Sequence, residues 1–171
     1  MISLGFHPAL VDWIWIQTLQ VMGGRNYAPE LIPQTRNFYD LATDLDPRFY
    51  ELYEHSGVLF SLFFKSPDDA IYFFEKGIRH LHPSWTHPYT LHLLLFYEYA
   101  FQRKDWESAK RHYIQAATMP NAPENLRLAL SWLQEPHSEK RLAKQVLNAL
   151  ILTIDDELIK KEYQKELKKY D

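Results

Sequence analysis

The sequence predicts an all-α chain of antiparallel helix pairs, and three observations carry that prediction. A helix–turn–helix pattern is written twice between residues 49 and 120. It reads first FYELYEHSGVLFSLFFKSPDDAIYFFEKGIRHLHP and then HPYTLHLLLFYEYAFQRKDWESAKRHYIQAATMP. Only 5 glycines stand among 171 residues, too few for turn-dense β folds that need many special backbone angles. The 10 prolines fall mostly between apolar runs, where they punctuate helices.

Taken in order, residues 1–10 read as a lead-in, because Gly5 and Pro8 break any early helix. Asp12 is placed to cap DWIWIQTLQVMG, which stops at Gly23-Gly24. That helix is apolar on most sides and must be covered, either by the rest of the chain or by a partner that takes Trp13 and Trp15. The next helix spans 28–45 and restarts or bends at Pro33. Phe49 to Phe64 opens the first clear pair, and Ser66 and Pro67 cap and open its second helix over 67–81. Asp68 and Asp69 lie in that helix's first turn, where its dipole favours negative charge. Its packed face is predicted to hold Ala70, Phe73, Phe74, Gly77, Ile78 and Leu81. Tyr89 to Gln102 and WESAKRHYIQAATMP form the second pair across a tight turn at Lys104-Asp105. Beyond Pro120, ENLRLALSWLQ and SEKRLAKQVLNALILTI make a further pair, with Ser138 as the cap of the latter. DDELIKKEYQKELKKYD closes the chain as an amphipathic helix with Leu158, Tyr163 and Leu167 on one side and i,i+4 charge pairs on the others.

With Ala70 set on Ala109, Phe74 meets Tyr113, Gly77 meets Ala116, and Pro83 and Pro120 close the copies. A small residue, an aromatic at +4, a small residue at +7 and a proline past the helix resemble the second half of a tetratricopeptide repeat. The resemblance covers 49–120, extends to 28–47 through Thr35, Tyr39, Ala42 and Pro47, and fades after 123. It implies one domain over 1–171, an α-solenoid wound as a right-handed superhelix. Its parts would be a degenerate repeat at 12–47, repeats at 49–83 and 88–120, a degenerate repeat at 123–154 and a capping helix at 155–171. One departure stands out: Gly57 to Ala70 is a residue longer than the family pattern, and the extra residue is assigned to the turn KSPDD.

Charge and residue content exclude several functions. A net charge of −3 provides no bulk electrostatic basis for nucleic-acid binding, and the basic-looking KKEYQKELKKY is interspersed with acids. The chain has no cysteine, hence no thiolate metal site, disulfide or cysteine nucleophile. No run reaches a membrane span and the first residues lack signal-peptide features, so a soluble cytoplasmic protein is expected. Asp44/Asp46, Asp68/Asp69 and Asp155/Asp156 sit at helix boundaries as caps, and no phosphate loop, GxSxG or HExxH occurs. The expectation is therefore a non-enzyme without a cofactor. His80, His82 and His87 are the nearest approach to a metal-ligand spacing; the plainer reading is surface histidines beside a packed Trp85.

The resemblance implies a binding scaffold whose first helices line a concave groove. Carried over residue by residue, that groove holds Glu51, Glu54, Val58 and Leu62, then Leu91, Leu94, Glu98 and Phe101. An apolar floor with carboxylates beside it suits a partner segment with apolar anchors and some Lys or Arg. Leu91, Leu94 and Phe101 can equally pack on neighbouring helices. A self-associating component of a larger bacterial-type complex, dimeric through the Trp13/Trp15 or C-terminal helix, is the competing reading.

Overall fold

The structure, a computed structural model, describes residues 29–170 together with Trp13 and Ile16. Apart from those two, the predicted helix of residues 12–22, Trp15 included, lies outside the described residues. Among the described residues every regular element is helical and none is a strand. The chain divides into two compact units, Met1–His82 and Pro83–Asp171, and the division falls at the linker HPSWTHP.

In the first unit a 3-10 turn at Pro29–Leu31 leads into α1 (Ile32–Leu45). Pro33 sits in its first turn, where a missing N–H leaves no hydrogen bond unmade. Thr35, Tyr39, Ala42 and Thr43 form its buried face. α2 (Tyr50–Val58) runs on into a π turn at Leu59–Phe63, and α3 (Pro67–Arg79) folds back along it. α3 stops two residues short of the predicted end, so Leu81 lies beyond the helix and is exposed rather than packed.

The second unit repeats that hairpin. α4 (Tyr89–Tyr97) continues into a π turn at Glu98–Arg103, and α5 (Trp106–Thr118) packs along it. α6 (Glu124–Leu128) ends in a 3-10 stretch at Ala129–Gln134. α7 (Glu139–Thr153) packs on α4 and on α8 (Glu157–Leu167), which finishes in a 3-10 turn at Lys168–Tyr170. On α8 the buried pair is Ile159 and Tyr163, one turn apart, while Leu158 faces outward. Its ion pairs join Glu157 to Lys160, Glu162 to Lys165 and Glu166 to Lys169, so the spacing is i,i+3 and not the predicted i,i+4.

The two hairpins share a turn, down to one backbone hydrogen bond. Lys65 and Lys104 both adopt the left-handed conformation, at φ 54° and 58°. The N–H of the next residue then reaches back six positions, Ser66 to the Phe60 carbonyl and Asp105 to the Tyr99 carbonyl, each at 2.8 Å. The additional residue of the first copy is thus taken up by a π turn, which spends five residues where an α turn spends four. It lies at Leu59–Phe63, just ahead of KSPDD and not within it. The helix that follows opens on a Ser–Asp pair with the partners exchanged. The Ser66 hydroxyl donates to Asp69 at 2.7 Å, and the Ser108 hydroxyl donates to Asp105 at 2.5 Å. Ser66 therefore occupies the cap position without capping, whereas Asp105 caps fully by accepting from the Ser108 N–H at 3.0 Å. Ser138 likewise stands at a cap position without making the predicted bond.

Small residues set the spacing of both hairpins. Ala70, Ala109 and Ala116 are fully buried, so Ala116→Leu should overpack α5 and cost roughly 1–3 kcal/mol, read as a lower urea midpoint. Between α1 and α3 a polar clamp closes the first unit. The Lys76 ammonium meets Asp40 at 2.6 Å and Asp44 at 2.7 Å, and the Tyr72 hydroxyl donates to Asp40 at 2.6 Å. Burial pushes the Lys76 pKa down, but bonds to the two carboxylates outweigh it and leave it raised. Burial pushes Asp40 up, and its bonds to Lys76 and Tyr72 bring it below the usual carboxylate value. The sign follows: the clamp stabilises fully between about pH 4 and pH 10 and weakens beyond either end. Lys76→Met should cost about 1–2 kcal/mol at pH 7, since the carboxylates it leaves are partly solvated. In urea titrations that difference should shrink as the pH falls below 4.

Candidate functional site

The eight predicted groove residues do not line an open surface. Val58, Leu62, Leu91, Leu94, Glu98 and Phe101 are buried; Glu51 is exposed, and Glu54 is half-buried, accepting from the Tyr50 hydroxyl at 3.1 Å. The cause is plain on α4, where all nine residues from Tyr89 to Tyr97 are buried. Its sequence, YTLHLLLFY, has no polar stripe, and a helix apolar on all sides is a core helix. That signal was present in the sequence and argues against a groove floor there.

The apolar side chains that do reach the surface in the first unit lie elsewhere. On α1, Phe38 and Leu41 are one turn apart and 40% and 49% exposed. Trp13 and Ile16, also helical and three residues apart, are 52% and 50% exposed. Phe38 and Leu41 flank the buried face of α1 on the side away from Arg36 and Asp40, which turn to α3. The helix therefore packs two of its flanks and leaves a third apolar edge uncovered.

Charge distinguishes this unit. Residues 29–82 carry nine Asp and Glu against five Lys and Arg, whereas 83–171 carry twelve against thirteen. Among these cations, Arg36 pairs with Asp69 at 2.6 Å and Lys76 sits in the clamp. The Phe38–Leu41 edge thus belongs to an acidic unit, with Asp44 one turn further along the same helix.

Two histidines of HLHPSWTHP are ring partners, and the third, His82, is half-buried. His80 stacks on Tyr53 with 14° between the planes, and His87 meets Tyr89 edge-on. Trp85 beside them is buried. Among the described residues no three His, Cys, Asp or Glu side chains gather closely enough to hold a metal ion. Among the described residues no helix is long and apolar enough to cross a membrane. No family model, no curated protein and no solved structure matches the chain.

Proposed function

We propose that this protein is a non-catalytic interaction scaffold, a tetratricopeptide-like solenoid of helix pairs that holds a segment of another protein in the cytoplasm. The reading is supported by two hairpins with the same π turn, left-handed lysine and exchanged Ser–Asp pair. The partner segment carries apolar anchors and Lys or Arg, complementary to an acidic unit with an uncovered apolar edge. Its contact face is the Phe38–Leu41 edge of α1, in place of the groove residues first assigned. The observation that carries this is the exposure of two large apolar side chains one turn apart on α1, in a unit that buries Tyr39, Tyr53, Phe60, Phe73 and Phe74.

A second reading is self-association through the Trp13–Ile16 face, favoured by the exposure of both side chains. Sedimentation equilibrium of wild type and Trp13→Ser separates the two. A wild-type dimer that becomes monomeric with Trp13→Ser supports self-association. A monomer in both leaves the scaffold reading in place.

A further inference from the structure

His92 on α4 and His112 on α5 meet within the second unit, Nδ1 to Nδ1, at 3.2 Å. Their ring centroids are 5.5 Å apart, the separation of two imidazoles that meet head-on through those nitrogens. His92 is buried, and His112 lies flat on Tyr99 with 7° between the planes. Thirty-nine residues earlier the corresponding positions hold Tyr53 and Phe73, with Phe73 stacked on Phe60 as His112 is on Tyr99. The second hairpin therefore places two imidazoles where the first places a phenol and a phenyl ring.

We propose that the His92–His112 contact is an acid-operated latch of the α4–α5 hairpin, which tolerates one proton and opens on the second. In the neutral pair one ring donates its Nδ1–H to the bare Nδ1 of the other, whose own proton sits on Nε2. The first added proton goes to the free Nε2 of the donor ring. The contact survives and becomes charge-assisted. The second can only go to the accepting Nδ1, which removes the acceptor and sets two cations face to face. The pair thus titrates as a unit in two macroscopic steps.

The surroundings oppose charging. Burial pushes both rings down to about 4, helped at His92 by His112 and at His112 by Arg111. The other ionisable groups on the packed elements are Tyr89 and Tyr97 on α4, Glu98, Tyr99, Arg103 and Lys104 after it, Asp105 at the cap of α5, Glu107, Lys110 and Tyr113 on α5, and Glu124 and Arg127 on α6. α7 adds Glu139, Lys140, Arg141 and Lys144. Lys110 pairs with Glu139 at 3.4 Å and Arg141 with Glu135 at 2.7 Å. Because both rings bind protons more weakly in the folded chain, stability contributed by the pair is complete above about pH 6.5 and falls as the pH drops toward 4.

The test is nitrogen NMR of the full chain with labelled imidazoles, titrated from pH 7 to pH 3, with amide exchange measured alongside. A through-bond coupling between the two Nδ1 atoms is expected at pH 7, surviving the first step and vanishing at the second. Exchange of the α4–α5 amides, corrected for its intrinsic pH dependence, should rise about tenfold or more at the second step. His112→Phe, which places in this slot the residue of the first hairpin, should keep the fold and abolish that acid rise. No coupling at pH 7, or two rings titrating independently near pH 6.5, overturns the latch. Should the chain unfold as a whole first, equal acid midpoints for wild type and His112→Phe overturn it, and a lower midpoint in the variant supports it.

Discussion

Gly57→Ala is expected to cost the first unit about 2–4 kcal/mol, although alanine is the better helix former by about 1 kcal/mol. A Cβ at position 57 would stand 2.1 Å from Cε1 of Phe74 and 2.5 Å from its Cδ1 and Cζ. Those are overlaps, so α2 and α3 must separate or the ring must turn. Phe74 is fully buried, in a unit whose interior also holds Phe60 and Phe73 stacked 5.5 Å apart, so a turned ring meets a close-packed core. Glycine here serves close approach and not backbone freedom, since the residue lies inside a regular helix. Urea unfolding followed by circular dichroism measures the loss. Gly57→Val should leave the first unit unfolded, while an unchanged midpoint for Gly57→Ala would show that the two helices are not in this contact.

The second large effect belongs to Tyr113, where truncation to alanine should remove about 3–5 kcal/mol from the second unit. The ring is fully buried and meets Phe96 edge-on at 6.0 Å, and its hydroxyl donates to the Leu126 carbonyl at 3.0 Å. One side chain thus fills the hairpin and ties α5 to α6. Tyr113→Phe separates the two contributions: it keeps the packing, removes the bond to the Leu126 carbonyl, and should cost only about 1–2 kcal/mol. If both variants lose the same stability, the hydroxyl and not the ring is the main contributor.

Helix placement was legible because prolines, small residues and aromatics recur in the sequence at spacings that the structure uses. Ala70 and Ala109 do occupy equivalent turns, and Asp156 does cap, accepting from the N–H groups of Leu158 and Ile159. The π turns were not legible as such. Counting residues from Gly57 to Ala70 shows that one is extra, but a propensity pattern does not say which turn widens to hold it. The surface was hardest to read. A helix such as α4 declares itself buried by lacking polar residues, yet family positions drew it as a groove. Phe38 and Leu41 carry no surface signal of their own, because an apolar residue beside a buried stripe reads as core until the neighbours on that side are known.

The most direct test of the scaffold reading is affinity capture on immobilised protein, comparing wild type with a Phe38→Asp, Leu41→Asp double variant whose circular dichroism matches. The account predicts one protein retained by the wild type and lost by the folded variant, with retention weakening as salt rises, because the unit that binds is acidic. Equal retention by both would contradict a contact through α1, and retention of nothing by the wild type would contradict the scaffold itself.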